Sequence, residues 1–292
     1  QQRVDEAIAE CQRAIERNPA NGTAYYHLGL AYVQKQRLDE AITAFQTAVS
    51  LCPDDAMAYT GLGLAYVQKG ALDQAIAALT RAIRSAPNLA AAHYNLGVAY
   101  HLKGQHDEAI SELTKTIELD ATLATAHYNL GLVYKAKQMY AQAIGAYRQA
   151  LQINPNLAMA RYNLGNVYLE TGRLDEAIAE YQQTLTIDVT HPKAHYNLGL
   201  AYVQKGMLDE ALAAYKNAVQ LDENLADVPQ ETSAEADLTG LLDQIIAAYQ
   251  KIAKQNPNVA ENHQKLGAVY GLNNRPNEAI VEYQTAIRLQ PQ

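Results

Sequence analysis

The chain has 292 residues, 49% of them hydrophobic, and carries 31 acidic against 23 basic side chains for a formal net charge of −8 at pH 7. That balance argues against a nucleic-acid binder, which needs an electropositive footprint, and no apolar run is long enough to span a bilayer. Two cysteines, Cys11 and Cys52, give neither a disulfide framework nor a metal-ligand spacing.

Taken from the start, QQRVDEAIAE already reads as mid-helix, as in a segment cut from a longer protein, and Cys11 falls on its apolar face as a buried thiol. No secretory leader opens the chain, so a cytoplasmic location is expected. Beyond this point self-similarity organises the sequence. The string AHYNLG stands at 92–97, 126–131 and 194–199, and ARYNLG at 160–165, at intervals of 34 residues or twice that. With positions numbered 1 to 34, complete units run 22–55, 56–89, 90–123, 124–157, 158–191 and 192–225. Residues 1–21 supply a second half-unit, 226–259 keep the length without the first-half pattern, and 260–292 form a last unit. The expected organisation is an array over 1–225, a degenerate acidic unit over 226–259 and a final unit over 260–292.

Each unit reads as two helices. Positions 4, 7, 8 and 11 form one helical stripe, for example His93, Leu96, Gly97 and Tyr100. The second helix has its stripe at 17, 20, 21, 24, 27 and 28, for example Leu174, Ala177, Ile178, Tyr181, Thr184 and Leu185. Gly at position 8 is expected to face Ala at position 20 and let two helix axes approach closely; glycine inside a helix costs about 1 kcal/mol against alanine, so its recurrence implies a packing return. Lys69-Gly70 and Lys205-Gly206 read as turns, the Asp-Glu pairs that follow suit a positive helix end, and Pro at position 32 is expected to end the second helix.

The pattern Tyr/His-x-x-Leu-Gly-x-x-Tyr, then Ala, an aromatic or Leu, Ala and Pro at these offsets, resembles the tetratricopeptide repeat. The resemblance covers essentially the whole chain. It implies an all-α fold, a right-handed superhelical solenoid of helix-turn-helix units, serving as a protein-binding scaffold. In that family positions 2, 5, 6, 9, 12 and 13 of the first helix line the concave inner surface. Here position 5 is Tyr94, Tyr128, Tyr162 and Tyr196 in four successive units, and position 6 is Asn95, Asn129, Asn163 and Asn197. Asn166 stands at position 9 where other units carry mostly Leu or Val, and position 12 runs Val33, Val67, His101, Lys135, Leu169 and Val203. A carboxamide holds an acceptor oxygen beside two donor hydrogens, so such rungs can grip an extended peptide backbone, with the phenol rings adding apolar area. This is similar to the asparagine ladder in the repeat domain of the eukaryotic O-linked N-acetylglucosamine transferase. The ladder is expected in the middle of the array only, since His27, Gly61 and Lys265 take position 6 elsewhere. The family's carboxylate clamp is not expected, because positions 2 and 5 carry only one basic residue, Lys193.

Between Asn217 and Gln250 lie seven acidic residues and no Lys or Arg. Thr232 followed by Glu235 reads as a capping box, which predicts a loop over 226–232 and a helix from near Ser233. Asp227, Glu231, Glu235 and Asp237 are candidates for docking a basic segment, with steep salt dependence as the signature. The string Leu238-Thr239-Gly240-Leu241-Leu242 is expected to be packed.

No enzyme is expected: there is no phosphate-binding glycine loop and no nucleophile elbow. Nor is a cofactor or metal expected, because His93, His127, His195 and His263 fall on different units and cannot meet at one ion. The expected partner is an extended polypeptide, with assembly of a larger complex as a fitting role. Two other readings stand beside it. Self-association would proceed through the N-terminal orphan helix (Val4, Ala7, Ile8, Cys11). Alternatively, the chain is the recognition arm of an enzyme whose catalytic domain lies elsewhere.

Overall fold

The structure, a computed structural model, describes residues 2–222 and 238–290. The described residues form sixteen α-helices and no strand. First helices of the units are α2 (Gly22–Gln34), α4 (Ala56–Lys69), α6 (Ala90–Leu102), α8 (Ala124–Ala136), α10 (Ala158–Glu170), α12 (Pro192–Lys205) and α15 (Ala260–Leu272). Second helices are α1 (Gln2–Arg17), α3 (Leu38–Leu51), α5 (Leu72–Ser85), α7 (His106–Leu119), α9 (Tyr140–Ile153), α11 (Leu174–Ile187), α13 (Leu208–Leu221) and α16 (Pro276–Leu289). One further helix, α14 (Leu238–Gln255), stands in the degenerate unit. The chain divides into two compact bodies, residues 1–155 with α1 to α9 and residues 156–292 with α10 to α16.

The turn inside each unit has one fixed demand. In the seven units that keep the full two-helix pattern, position 15 is left-handed: Gly70, Gly104, Gly172 and Gly206 have φ between 72° and 80°. Gln36, Gln138 and Asn274 take the same place with φ of 59°, 58° and 51°, at a steric cost that glycine avoids.

Helix ends show why the proline expectation was incomplete. The second helices α7 and α11 stop at the usual register although Ala121 and Val189 replace proline there. In both units an Asp-x-Thr turn does the work. Asp120 Oδ1 accepts from the backbone N–H of Thr122 at 2.9 Å, and Asp188 Oδ1 from that of Thr190 at 3.1 Å. Such a side chain mimics a backbone turn and competes with continued helix.

The close approach at position 8 also differs from expectation. Position 20 is buried, but what meets the glycine first is the side chain at position 24. A Cβ built on Gly29 would lie 2.7 Å from the Phe45 ring, on Gly131 2.5 Å from Tyr147, and on Gly165 2.7 Å from Tyr181. Leu79 and Leu113 fill the same place beside Gly63 and Gly97. Glycine therefore makes room for a large side chain; the recurring alanine completes the contact.

Lysines at position 14 reach back to the aspartate that opens the second helix of the preceding unit: Lys35 to Asp5, Lys69 to Asp39, Lys103 to Asp73, Lys137 to Asp107 and Lys205 to Asp175. The Asp-Glu helix starts thus serve as ion-pair anchors in addition to meeting a helix dipole. These pairs are exposed and each contributes little, about 0–1 kcal/mol; their value is register.

In the degenerate unit the described chain forms one 18-residue helix. Leu241, Leu242, Ile245, Ile246 and Tyr249 of α14 are all buried, in a core shared with Leu208, Tyr215, Leu266 and Tyr270. Leu241 stands against Gly199, the place held by a position-24 side chain in other units. Leu241 and Leu242 are packed as expected. The predicted loop over 226–232, the capping box and the helix start near Ser233 lie outside the described residues.

The N-terminal helix corrects the premise for self-association. Ile8 is buried, and Val4, Cys11 and Ile15 pack with it against Leu28 and Tyr32 of α2; Ala7 is exposed. An apolar face already covered by the next helix is not a free docking face. Burial also raises the Cys11 thiol above its ordinary range, with Glu10 adding to it.

Candidate functional site

The candidate residues lie on the first helices, one set in each compact body. In residues 1–155, Tyr94 and Asn95 stand on α6, and Tyr128, Asn129 and Lys135 on α8. The Nδ2 of Asn95 donates to the Ala91 carbonyl at 2.8 Å, one helical turn back. Asn129 Nδ2 does the same to Thr125 at 2.8 Å and also donates to the Tyr94 hydroxyl at 3.0 Å. The Tyr128 ring packs on Tyr147 with centroids 6.1 Å apart.

In residues 156–292, Asn163 Nδ2 donates to the Met159 carbonyl at 2.9 Å. Asn197 Nδ2 donates to the Tyr162 hydroxyl at 3.2 Å and to Asn166 Oδ1 at 2.8 Å. That same oxygen accepts the Tyr181 hydroxyl at 2.8 Å. Tyr181 is fully buried; burial, then the neighbouring Tyr162, push its phenol well above the usual range, so it stays a neutral donor. The His191 ring lies 4.7 Å from Tyr162, and its Nδ1 accepts the Ala194 N–H at the start of α12.

The consequence is polarity. A carboxamide whose Nδ2 is tied to its own helix or a neighbouring phenol turns its oxygen the other way. Asn95, Asn129 and Asn197 all point the donor inward, and their Oδ1 atoms accept no bond among the described residues. Asn166 is reversed. Its oxygen accepts two bonds and its Nδ2 donates none among the described residues, so a donor stands beside the acceptor of Asn197.

Two expected site residues fall elsewhere. Tyr196 is buried, only 5% exposed, within the core around α13 and α14. It is a core phenol and not a surface rung, because α14 fills the space beside it. His101 faces His106 across the turn between α6 and α7. Asp227, Glu231, Glu235 and Asp237 lie outside the described residues. Tyr181 and His191 were not among the candidates, although each buttresses one. The available signal was Asn166 itself, an amide at a position that is otherwise apolar and 31 residues before Asn197.

His93 and His263, at position 4, are interlocks between units. His93 Nδ1 lies 2.6 Å from Glu112 Oε2 and Nε2 lies 2.9 Å from the Pro87 carbonyl; His263 repeats this with Glu282 at 2.6 Å and Pro257 at 3.0 Å. Arg161 takes the same slot against Glu180 at 3.2 Å. Among the described residues no group of three or more His, Cys, Asp and Glu comes together, and no helix is long and apolar enough to cross a membrane.

A family model described as "TPR repeat" matches residues 1–36, 29–70, 63–104, 99–138, 133–172 and 165–206, and one described as "Tetratricopeptide repeat" matches 192–225 and 260–292. The chain belongs to the tetratricopeptide repeat family. Comparison with curated proteins by sequence returned no match. Among solved structures, MamA is 35% identical over 57% of this chain and 98% of its own, with a TM-score of 0.53. YrrB, described as "a TPR protein with an unusual peptide-binding site", is 25% identical over 62% of this chain and 93% of its own, with a TM-score of 0.53. Human IFIT1, solved as a dimer with PPP-AAAA, is 20% identical over 98% of this chain and 69% of its own, with a TM-score of 0.58. At that identity the likeness concerns the fold alone.

Proposed function

We propose that this tetratricopeptide repeat protein is a non-catalytic scaffold that holds an extended polypeptide along the first-helix faces of its units. The observation that carries the reading is the fixed orientation of the amides. With their donors engaged at 2.8–3.2 Å by the protein itself, Asn95, Asn129 and Asn197 offer acceptors without having to be ordered on binding. An extended backbone supplies N–H donors at regular intervals, and each new bond contributes a net of roughly 0.5–1.5 kcal/mol. Tyr94, Tyr128 and Tyr162 border these acceptors with ring area that costs little conformational entropy. The peptide-binding site in the description of YrrB supports the same reading by similarity. Assembly of a larger complex fits such a scaffold.

The test is selection of linear peptides from a displayed library. Selected peptides are then measured against the wild type and against the protein with Asn95→Ala, Asn129→Ala, Asn163→Ala and Asn197→Ala combined. The reading expects affinity to fall at least about 10-fold, the sum of several lost bonds, while circular dichroism stays unchanged. Equal affinity for both proteins refutes it.

A further inference from the structure

We propose that His101 and His106 form a two-imidazole site for a borderline divalent cation such as Zn2+, Ni2+ or Cu2+. His101 stands in the last turn of the first helix of its unit at position 12, and His106 opens the second at position 17. In four other units these two slots hold an apolar pair: Val33 and Leu38, Val67 and Leu72, Leu169 and Leu174, Val203 and Leu208. Packing across this turn therefore asks for two aliphatic side chains. In unit 90–123 both have been replaced by histidine.

The structure brings the two Nδ1 atoms to 3.4 Å, with ring centroids 5.4 Å apart. That is longer than an ordinary nitrogen hydrogen bond, which spans about 2.7–3.2 Å. It matches two nitrogens on one tetrahedral ion: at Zn–N distances of about 2.0–2.1 Å the nitrogens stand roughly 3.3 Å apart. Gln105, in the same turn, buries its Oε1 without a hydrogen-bond partner among the described residues. Imidazole nitrogen suits Zn2+, Ni2+ and Cu2+ and not the oxygen-seeking Mg2+ or Ca2+. Two protein ligands leave the other coordination positions to water or to a donor from a bound partner, so the site is an exchangeable one. It does not depend on the peptide reading above.

The test uses tag-free protein carrying Cys11→Ser and Cys52→Ser, so that thiols do not compete. Zn2+ and Ni2+ are titrated by calorimetry into this parent and into His101→Val and His106→Leu versions, with Mg2+ as the control. Both substitutions restore the residue that other units carry, so the metal-free melting temperature should not fall. Each is expected to weaken the site at least about 10-fold, the low end of what even an outer-shell change costs a metal site. Electron paramagnetic resonance of Cu2+ on the parent provides a readout that needs no variant, with two coupled nitrogens expected. Parent-like affinity in either variant, or coupling to a single nitrogen in the parent, overturns the proposal.

Discussion

Asn197 donates its Nδ2 hydrogen to Asn166 Oδ1 at 2.8 Å, across the 31 residues that separate position 9 of one unit from position 6 of the next. The Tyr181 hydroxyl converges on the same oxygen. Asn166→Leu, the residue most units carry there, should leave a buried hydroxyl without its acceptor and cost about 1–3 kcal/mol. Adding Tyr181→Phe removes that hydroxyl and should recover part of the loss. A double-mutant cycle by urea denaturation checks this; simple additivity would show that the hydroxyl and the amide are not coupled.

The gap in the amide series at Gly61 has a steric cause. A Cβ at that position would lie 2.5 Å from the Phe45 ring, which also fills the space beside Gly29. Gly61→Asn should therefore destabilise the protein by about 1–3 kcal/mol, as overpacking does. Phe45→Leu in the same chain should restore much of this, because Leu79 and Leu113 hold the same slot ahead of Asn95 and Asn129. Beside Asn197 the ring is Tyr181, which joins the amide pair through a hydroxyl that Phe45 lacks. Thermal denaturation of the single and double variants decides the matter.

Gln138 holds φ at 58° in a place where four other units use glycine. Gln138→Gly should raise stability by roughly 0.5–1 kcal/mol, the relief of a left-handed side chain less the added freedom of the unfolded chain. Equilibrium denaturation measures it. A loss of stability would mean that contacts of the Gln138 side chain outweigh its backbone cost.

The repeat period, the helix pairs and the helix ends were legible in the sequence because glycine, alanine and proline recur at fixed offsets and each acts locally. Gln138 and the Asp120 and Asp188 turns were less so, since a different residue meets the same backbone demand. The degenerate unit was legible only as a break: that α14 would bury Leu241 against Gly199 depends on packing that no 34-residue pattern encodes. The candidate site was legible as residue types. Their polarity was not, because the direction of Asn197 is decided by Asn166 and Tyr162, each more than thirty residues away. Tyr196 was misplaced for the same reason, its burial coming from α14.

Lys265, the odd residue at position 6 of the last unit, lies 2.7 Å from Asp209 Oδ2, and the Tyr249 hydroxyl donates to Oδ1 of that carboxylate at 2.6 Å. Lys265, then Tyr249, hold the Asp209 carboxyl below its ordinary range, and Asp209 raises the Lys265 amine. A lowered carboxyl contributes stability above its unfolded value, about 3.9, and loses it as pH falls through the lower folded value. A raised amine contributes below about 10.4 and loses it as pH rises further. Asp209→Asn should thus cost stability between about pH 4 and 10, and match the wild type in stronger acid. The pair is partly exposed, so the difference should be under about 1 kcal/mol and shrink with salt. Denaturation midpoints across pH test this.

The most direct measurement concerns the backbone of a bound peptide. A peptide selected on the protein would be resynthesised with one backbone amide N-methylated at a time and titrated by calorimetry, beside an alanine scan of the same peptide. Each amide that meets an asparagine oxygen should lose about 2- to 10-fold in affinity on methylation, the worth of one net hydrogen bond, with a smaller loss at most alanine positions. Binding indifferent to methylation at every position, and lost only with particular side chains, would contradict recognition through oriented amides.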